Sequence, residues 1–148
     1  MKRVIVILFC LFLGSSALLA DNETITRDVN VLPTYSREFI STYFNQSEIS
    51  HIKIEKNLIG RKNYDVILTD GTNLEFDQNG DWTEVDSNNH SPVPSAIIPV
   101  PILSYIQTNF KGKDIVSIEK EPREVNVKLS NGLELTFNKK GKLIEIDD

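Results

Sequence analysis

The hydrophobic and polar positions of this chain follow one order twice, over residues 32–86 and again over residues 98–147. Each time, a proline precedes a stretch with apolar residues at helical spacing, and several short runs of alternating apolar and polar residues follow. The first spacing is typical of an amphipathic helix, and the alternation is typical of half-buried strands. The pattern therefore predicts an α+β fold built as a tandem repeat, each unit being a helix followed by about four antiparallel strands.

Residues that correspond between the two units support this interpretation. They are Pro33 and Pro99, Phe39 and Tyr105, Phe44 and Phe110, Val66 and Val127, Gly71 and Gly132, Phe76 and Phe137, and Gly80 and Gly141. Units of about 50 residues are too small to bury a good core alone. We therefore expect the two sheets to join edge to edge, or at least to pack into one domain. The helices would then pack on one face of the sheet while the other face meets water.

The first twenty residues predict an export signal. Lys2 and Arg3 precede an apolar run, Val4–Leu13, which small residues close. That order is typical of a secretory signal peptide, with cleavage after Ala17 or Ala20; an uncleaved membrane anchor is the alternative. The predicted organisation is a signal peptide (1–20), a flexible leader (21–31), repeat unit 1 (32–87), a polar, proline-containing linker (88–97) and repeat unit 2 (98–148).

Charge and cysteine content narrow the classes of partner. The 16 basic and 21 acidic residues give a net charge of −5, and loss of Lys2 and Arg3 with the signal makes it −7. Nucleic acid and anionic membrane surfaces are poor partners for such a chain. The only cysteine, Cys10, lies in the predicted signal, so the exported protein would have no disulfide, thiolate nucleophile or cysteine-based metal site.

Strict alternation assigns a candidate binding patch to the outer face of the sheet. Trp82 would lie there with Ile67 and Leu143 as apolar neighbours, and Lys53 and Lys128 at the rim. An exposed tryptophan with apolar neighbours and a charged rim is typical of a protein-binding surface. The alternative is a half-buried Trp82 that folds over the sheet edge. We predict a non-enzymatic module without a cofactor, whose partner is a protein or peptide.

Two further hypotheses rest on carboxylates. Asp77, Asn79 and Asp81 place oxygen-bearing side chains at alternate positions around Gly80, which suggests a calcium loop, although a hairpin turn explains the same residues. The alternative function is therefore a calcium-binding or purely structural exported domain. Glu75 and Glu84 would meet on adjacent strands as an acid/base pair, which suggests a hydrolase. No nucleophile elbow or phosphate-cradling glycine loop accompanies them in the sequence.

Several runs resemble a known family. Tyr64–Gly71 (YDVILTDG) and Glu75–Trp82 (EFDQNGDW), together with Leu32-Pro33 and Tyr105-Ile106, resemble the PepSY-like, beta-lactamase-inhibitor-like exported proteins of Gram-negative bacteria. The resemblance covers residues 32–148 and implies two helix-plus-sheet units, a periplasmic or secreted location and no established activity. Inhibitors of this fold bind an enzyme through the open face of the sheet, and disulfides stabilise their framework. This chain would have no disulfide after cleavage of the signal.

Overall fold

The computed structural model of the protein describes residues 22–88 and 91–148. The predicted signal peptide and two residues of the predicted linker lie outside this part of the chain. The described elements are β1 (Glu23–Thr26), a 3-10 turn (Val29–Val31), α1 (Thr34–Tyr43), β2 (Ile49–Lys56), β3 (Lys62–Leu68), β4 (Asn73–Phe76), β5 (Trp82–Asp86), a second 3-10 turn (Ser95–Ile97), α2 (Val100–Asn109), β6 (Ile115–Lys120), β7 (Glu124–Leu129), β8 (Glu134–Asn138) and β9 (Leu143–Asp147).

Nine strands of the described chain form one sheet in chain order, and each is antiparallel to its neighbour. Strands β5 and β6 pair directly, with Val85 opposite Ile118. The predicted edge-to-edge joining of the two sets of strands is therefore confirmed. The fold is mixed, with a single antiparallel sheet and, among the residues described, two α-helices of ten residues each. Neither helix is long and apolar enough to cross a membrane, and no other helix in the described chain is.

The prediction of a flexible leader over residues 21–31 was wrong for most of that segment. Glu23–Thr26 form the edge strand β1, which pairs with β2 so that Ile25 lies opposite Lys53. Asp28 caps the following 3-10 turn, because its Oδ1 accepts a hydrogen bond from the backbone N–H of Asn30 at 2.9 Å. A four-residue edge strand that is exposed on both faces has no alternation of buried and exposed residues, so its sequence shows no strand pattern.

The core lies on one face of the sheet. Phe76 and Phe137 are 1% and 0% exposed, and the aliphatic side chains that share their face are buried with them: Ile52, Val66, Leu68, Leu74, Val85, Ile118, Val127, Leu129 and Leu135. The ring of Phe39 on α1 lies 5.7 Å from that of Phe76, and the ring of Tyr105 on α2 lies 5.5 Å from that of Phe137. Both helices thus contact the same face of the sheet.

One type of turn closes three of the hairpins in the described chain. At the turn between β4 and β5, Oδ1 of Asp77 accepts hydrogen bonds from the backbone N–H groups of Asn79 and Asp81. The side chain of Asn138 does the same between β8 and β9, and that of Asn57 between β2 and β3. A glycine with positive φ follows three residues later in each case. An Asx residue and a glycine are therefore what this turn requires.

A register shift lies at the start of each of two strands, β5 and β9, directly after the first residue of the strand. The pairing of β4 with β5 shifts between Glu75 and Phe76, so Phe76 lies opposite Trp82. The pairing of β8 with β9 shifts at the corresponding place, and Phe137 lies opposite Leu143. Such an irregularity adds one residue to a strand and changes the face to which the residues beyond it point.

Candidate functional site

Trp82 and Leu143 lie on the helix side of the sheet, so their predicted position on the outer face was wrong. Trp82 is opposite the buried Phe76, and its ring stacks on Phe39 of α1 with 6.0 Å between centroids. On the same ring, Nζ of Lys120 lies 3.8 Å from the centroid, a cation–π contact. Both Trp82 and Leu143 pack against the core. The register shifts at β5 and β9 are the physical cause, because strict alternation would have placed both side chains outside.

The other face of the sheet is a groove with a cavity volume of about 760 Å³. It includes three of the residues predicted for the binding patch, Ile67, Lys53 and Lys128. Polar and acidic side chains supply most of the rest of its lining: Glu55, Asn63, Asp65, Asn73, Glu75, Thr83, Glu84, Asp86, Asn88, Ser117, Glu119, Asn126, Glu134, Thr136 and Asp147. The patch therefore has a different character from the one predicted, because its aromatic centre is absent and carboxylates dominate.

Four carboxylates on four neighbouring strands form a row across the floor of this groove. Asp65 lies opposite Glu75. Glu75 lies opposite Glu84, and Glu84 lies opposite Glu119 across the junction of the two sets of strands. We call these four residues the carboxylate row. Directly opposed like charges destabilise a sheet, so packing and folding do not account for this arrangement.

The environment of the carboxylate row favours protonated carboxyls. Burial raises the pKa of Asp65 to about 6, and the charge of Glu75 acts in the same direction. Burial and the charge of Glu75 raise the pKa of Glu84 to about 8. Burial also raises the pKa values of Glu75 and Glu119. Binding of protons, or of another positive charge, would therefore lower the free energy of the carboxylate row.

Lys53 stands at one end of the row and is held by its own acidic neighbours. It lies opposite Asp65, and its Nζ lies 3.4 Å from Oε2 of Glu23 on β1 and 2.5 Å from Oε1 of Glu55. A hydrogen bond to Glu55 contributes most to a raised pKa of Lys53. Much of the positive charge of Lys53 is thus directed towards Glu23 and Glu55. Lys128 lies further along the groove, opposite Glu134 and Ser117.

The structure brings together the pair on which the hydrolase hypothesis rests. Glu75 and Glu84 are cross-strand neighbours on the groove side, and besides burial and charge, hydrogen bonding to Glu75 helps to raise the pKa of Glu84. A shared proton between two carboxyls is one arrangement that acid/base catalysts use. The same pair is also half of the carboxylate row, so its arrangement can serve electrostatic binding without catalysing a reaction.

The residues of the predicted calcium loop serve a turn. Oδ1 of Asp77 is engaged by two backbone N–H groups, and Asn138 makes the same two hydrogen bonds in the equivalent turn with a neutral amide. Within the part of the chain that the structure describes, no group of three or more His, Cys, Asp or Glu side chains is arranged to hold a metal ion. The turn geometry thus accounts for Asp77 by itself.

Sequence reasoning paired Glu75 with Glu84 on adjacent strands, but it did not identify the row or connect the pair with Asp65 and Glu119. The alternation of β3 and β4, and of β5 beyond its register shift, was a sufficient signal for the face to which the carboxylates point. Whether acidic residues on different strands lie opposite one another depends on strand register, which the sequence does not fix by itself. Glu119 belongs to the other set of strands, so its place in the row also depends on the pairing of β5 with β6.

Comparisons with known proteins agree with this fold. The family model described as beta-lactamase-inhibitor-like and PepSY-like matches residues 62–145. A crystal structure of a periplasmic protein of unknown function from Bacteroides vulgatus is similar to the chain, with 41% sequence identity and a TM-score of 0.81, covering 85% of this chain and 99% of that one. No curated protein is significantly similar to the chain.

Two further solved structures have the same TM-score of 0.81 at 39% identity, and each comparison covers 87% of this chain and 99% of the other. One is a second protein of Bacteroides vulgatus, described as periplasmic. The other, from Bacteroides thetaiotaomicron, is described as a candidate calcium-regulated periplasmic protein.

Proposed function

Because the chain belongs to the PepSY-like, beta-lactamase-inhibitor-like family, we propose that it is a periplasmic, non-enzymatic binding module that holds a basic segment of another protein in the groove. The carboxylate row is the observation that carries this proposal. The periplasmic location follows the description of the similar solved structures. Export by a cleaved signal peptide over residues 1–20 belongs to the same proposal.

The electrostatics of the groove support a cationic partner. Asp65, Glu75, Glu84 and Glu119 oppose one another without a basic residue between them. An incoming lysine or arginine would replace this repulsion with charge-assisted hydrogen bonds in a partly desolvated site. Relief of like-charge repulsion in the free protein would then contribute to binding.

The dimensions of the row support a polypeptide. Strands in a sheet lie about 4.8 Å apart, so a row over four neighbouring strands extends about 14 Å. Several cationic groups of one extended segment match that length better than a single small ion does. Ile67 and the stems of Lys53 and Lys128 offer apolar contact beside the row. A groove open along its length also suits a protein surface, as the family's description as inhibitor-like suggests.

The proposal is tested by capture of partners from periplasmic extract with a row variant, Glu75→Gln/Glu84→Gln/Glu119→Gln. The matched control, Glu38→Gln/Glu48→Gln/Asp114→Asn, removes the same charge from exposed positions outside the groove. We expect a protein that binds the wild type and the control, is lost with the row variant, and is released by salt. Equal recovery by the row variant and the control would contradict the proposal.

Calcium binding is a second candidate, favoured by the calcium-regulated description of a solved structure 39% identical to the chain. A divalent cation could neutralise carboxylates of the row as a basic partner would, or it could bind at Asp77, Asn79 and Asp81 as the sequence suggested. Calorimetry with calcium on the wild type, Glu84→Gln and Asp77→Asn separates the two sites. Heat lost only with Glu84→Gln assigns the ion to the row, and absence of heat at millimolar calcium rejects this candidate.

A tandem repeat is the proposed origin of the groove. The helices begin 66 residues apart, at Thr34 and Val100, and each contains ten residues. The closing strands begin 61 residues apart, at Trp82 and Leu143, and each has a register shift directly after its first residue. Two copies of one unit joined at β5 and β6 would form a single wide face, across which the carboxylate row passes from one copy to the other.

A further inference from the structure

The hairpin between β2 and β3 ends in an exposed apolar apex. Leu58 is 99% exposed and Ile59 is 74% exposed, and they are adjacent at the tip of the turn Asn57–Arg61. Basic residues flank the apex: Lys56 ends β2, and Arg61 and Lys62 follow the turn glycine, Gly60. All three basic residues are exposed. We call the segment 56–62 the basic hairpin tip.

The fold does not require apolar residues at this apex. The turns that begin at Asp77 and Asn138 have the same backbone hydrogen bonds and the same glycine position as the turn that begins at Asn57. Their two apex residues are Gln78-Asn79 and Lys139-Lys140, as expected for side chains in water. The geometry of the turn therefore does not explain why leucine and isoleucine occupy its apex.

The hairpin tip is also an addition to the shared architecture. The helices are offset by 66 residues between the two halves, but the last strands are offset by 61, and the change occurs at this hairpin. In the second half, β6 and β7 together span residues 115–129, whereas β2 and β3 span residues 49–68, so the corresponding hairpin is five residues shorter. A unit of this fold closes without the extension, which leaves the extension free to serve binding.

We propose that the basic hairpin tip inserts into an anionic lipid surface. Leu58 and Ile59 would enter the acyl boundary, while Lys56, Arg61 and Lys62 would contact lipid phosphates behind them. Segments that bind membrane surfaces combine inserted apolar residues with basic residues at the headgroups in the same way. Charge complementarity favours anionic lipid, because the tip is locally basic in a chain whose overall charge is negative.

The size and shape of the apex favour a lipid surface over a protein. Two side chains on a convex turn bury far less than the roughly 1,200 Å² of a stable protein interface. Insertion into lipid requires no complementary pocket and is weak and reversible with so few apolar groups. The earlier expectation that membranes are poor partners followed from net charge, which averages out this local cluster. Insertion at a strand end would leave the groove accessible.

The test is co-sedimentation of the purified protein with phosphatidylcholine vesicles that contain about one third phosphatidylglycerol. The variant Leu58→Gln/Ile59→Asn copies the apex of the Asp77 turn and keeps Asn57 and Gly60, so the hairpin should remain folded. We expect it to bind at least about tenfold more weakly. Arg61→Gln/Lys62→Gln should lose a similar factor on anionic vesicles, and all forms should bind poorly to pure phosphatidylcholine.

The matched control is Lys139→Gln/Lys140→Asn, which gives the same polar apex to the equivalent turn of the second half. It should change vesicle binding by less than about threefold. A loss as large as that of the Leu58/Ile59 variant would indicate general electrostatic attraction and would overturn the proposal. So would absence of any binding by the wild type.

A second copy of the chain is the other occupant that charge would allow, since its groove is acidic. Sedimentation velocity distinguishes it: the wild type should remain monomeric in the absence of vesicles. A dimer that Leu58→Gln/Ile59→Asn abolishes would overturn the lipid proposal. A Leu58→Trp variant provides a direct readout, because its fluorescence should shift to shorter wavelength only with anionic vesicles. No shift despite sedimentation would also contradict insertion.

Discussion

The two halves of the sheet carry similar side chains towards the helices and different ones towards the groove. On the helix side, Phe76 has the counterpart Phe137, and Val66 has the counterpart Val127; all four are buried. On the groove side, Asp65 and Glu75 of the first half correspond to Asn126 and Thr136 of the second. Close packing restricts the first set to residues of matching volume, whereas an open face accepts different chemistry.

The consequence of this difference is electrostatic. Oγ1 of Thr136 donates a hydrogen bond to Oδ1 of Asn126 at 2.9 Å, so the neutral pair in the second half stabilises its strands. The equivalent pair in the first half, Glu75 and Asp65, repels when ionised. The groove floor of the second half thus has a neutral, hydrogen-bonded pair that stabilises the sheet, whereas the first half has two acidic residues at the same positions. That difference is the main structural argument for a binding role.

The largest expected effect concerns the contact of a turn glycine with a helix start, which Gly80 makes with Pro33 and Gly141 makes with Pro101. A Cβ on Gly80 would lie 2.7 Å from Cβ of Pro33, whereas one on Gly132 would meet nothing within 4 Å. Both glycines have positive φ, so Gly132→Ala isolates the backbone strain of about 1 kcal/mol. Gly80→Ala should destabilise by about 2 kcal/mol more in urea unfolding. Equal losses would mean that the turn does not press on α1.

Trp82 offers the next comparison, because Leu143 occupies its position in the second half. Trp82→Leu removes the stacking on Phe39 and the contact with Lys120. Unfolding experiments should show a loss of about 2 kcal/mol. Capture of a partner by the groove should be unchanged, since Trp82 lies on the opposite side of the sheet. If the Trp82 variant folds normally and loses its partner, the assignment of the site to the groove is wrong.

The carboxylate row should make stability fall as pH rises. The folded-state pKa of Glu84 is about 8, above its ordinary value of 4.5. Stability from its protonated form is therefore fully present below pH 4.5 and is lost progressively up to about pH 8. Glu84→Gln should stabilise the protein by about 1.5 kcal/mol at pH 8 and very little at pH 4.

The matched variant for the row is Glu145→Gln, which alters the equivalent position in the second half. There the carboxylate faces Thr136 instead of another acidic residue. Urea unfolding across the same pH range should show almost no stabilisation from this change. An equal gain from both variants would attribute the effect to net charge and not to the row.

The smallest expected effect on stability belongs to the basic hairpin tip. Leu58→Gln/Ile59→Asn should leave the free energy of unfolding within about 0.5 kcal/mol of the wild type, because both side chains are exposed and the turn keeps Asn57 and Gly60. Thermal unfolding measures this directly. A large loss would show that the apex contributes to folding, and the comparison with the other two turns would then fail.

The sequence was sufficient for the features that depend on near neighbours along the chain. Proline and the apolar spacing located both helices, and runs of alternating apolar and polar residues located eight of the nine strands in the described chain. The side of the sheet was also readable for Ile67, Lys53 and Lys128, because their strands keep a regular period of two. Edge strand β1 was missed because neither of its faces is buried.

The tertiary structure alone decided the position of Trp82 and Leu143 and the existence of the carboxylate row. One extra residue in a strand reverses the face of everything beyond it, and the sequence of β5 carries no mark of that irregularity. Residues 65, 75, 84 and 119 become neighbours only through the register of three strand pairs. Hydrophobic patterning acts along the chain, whereas register is set by contacts between strands, which is why the fold was readable from the sequence and the carboxylate row was not.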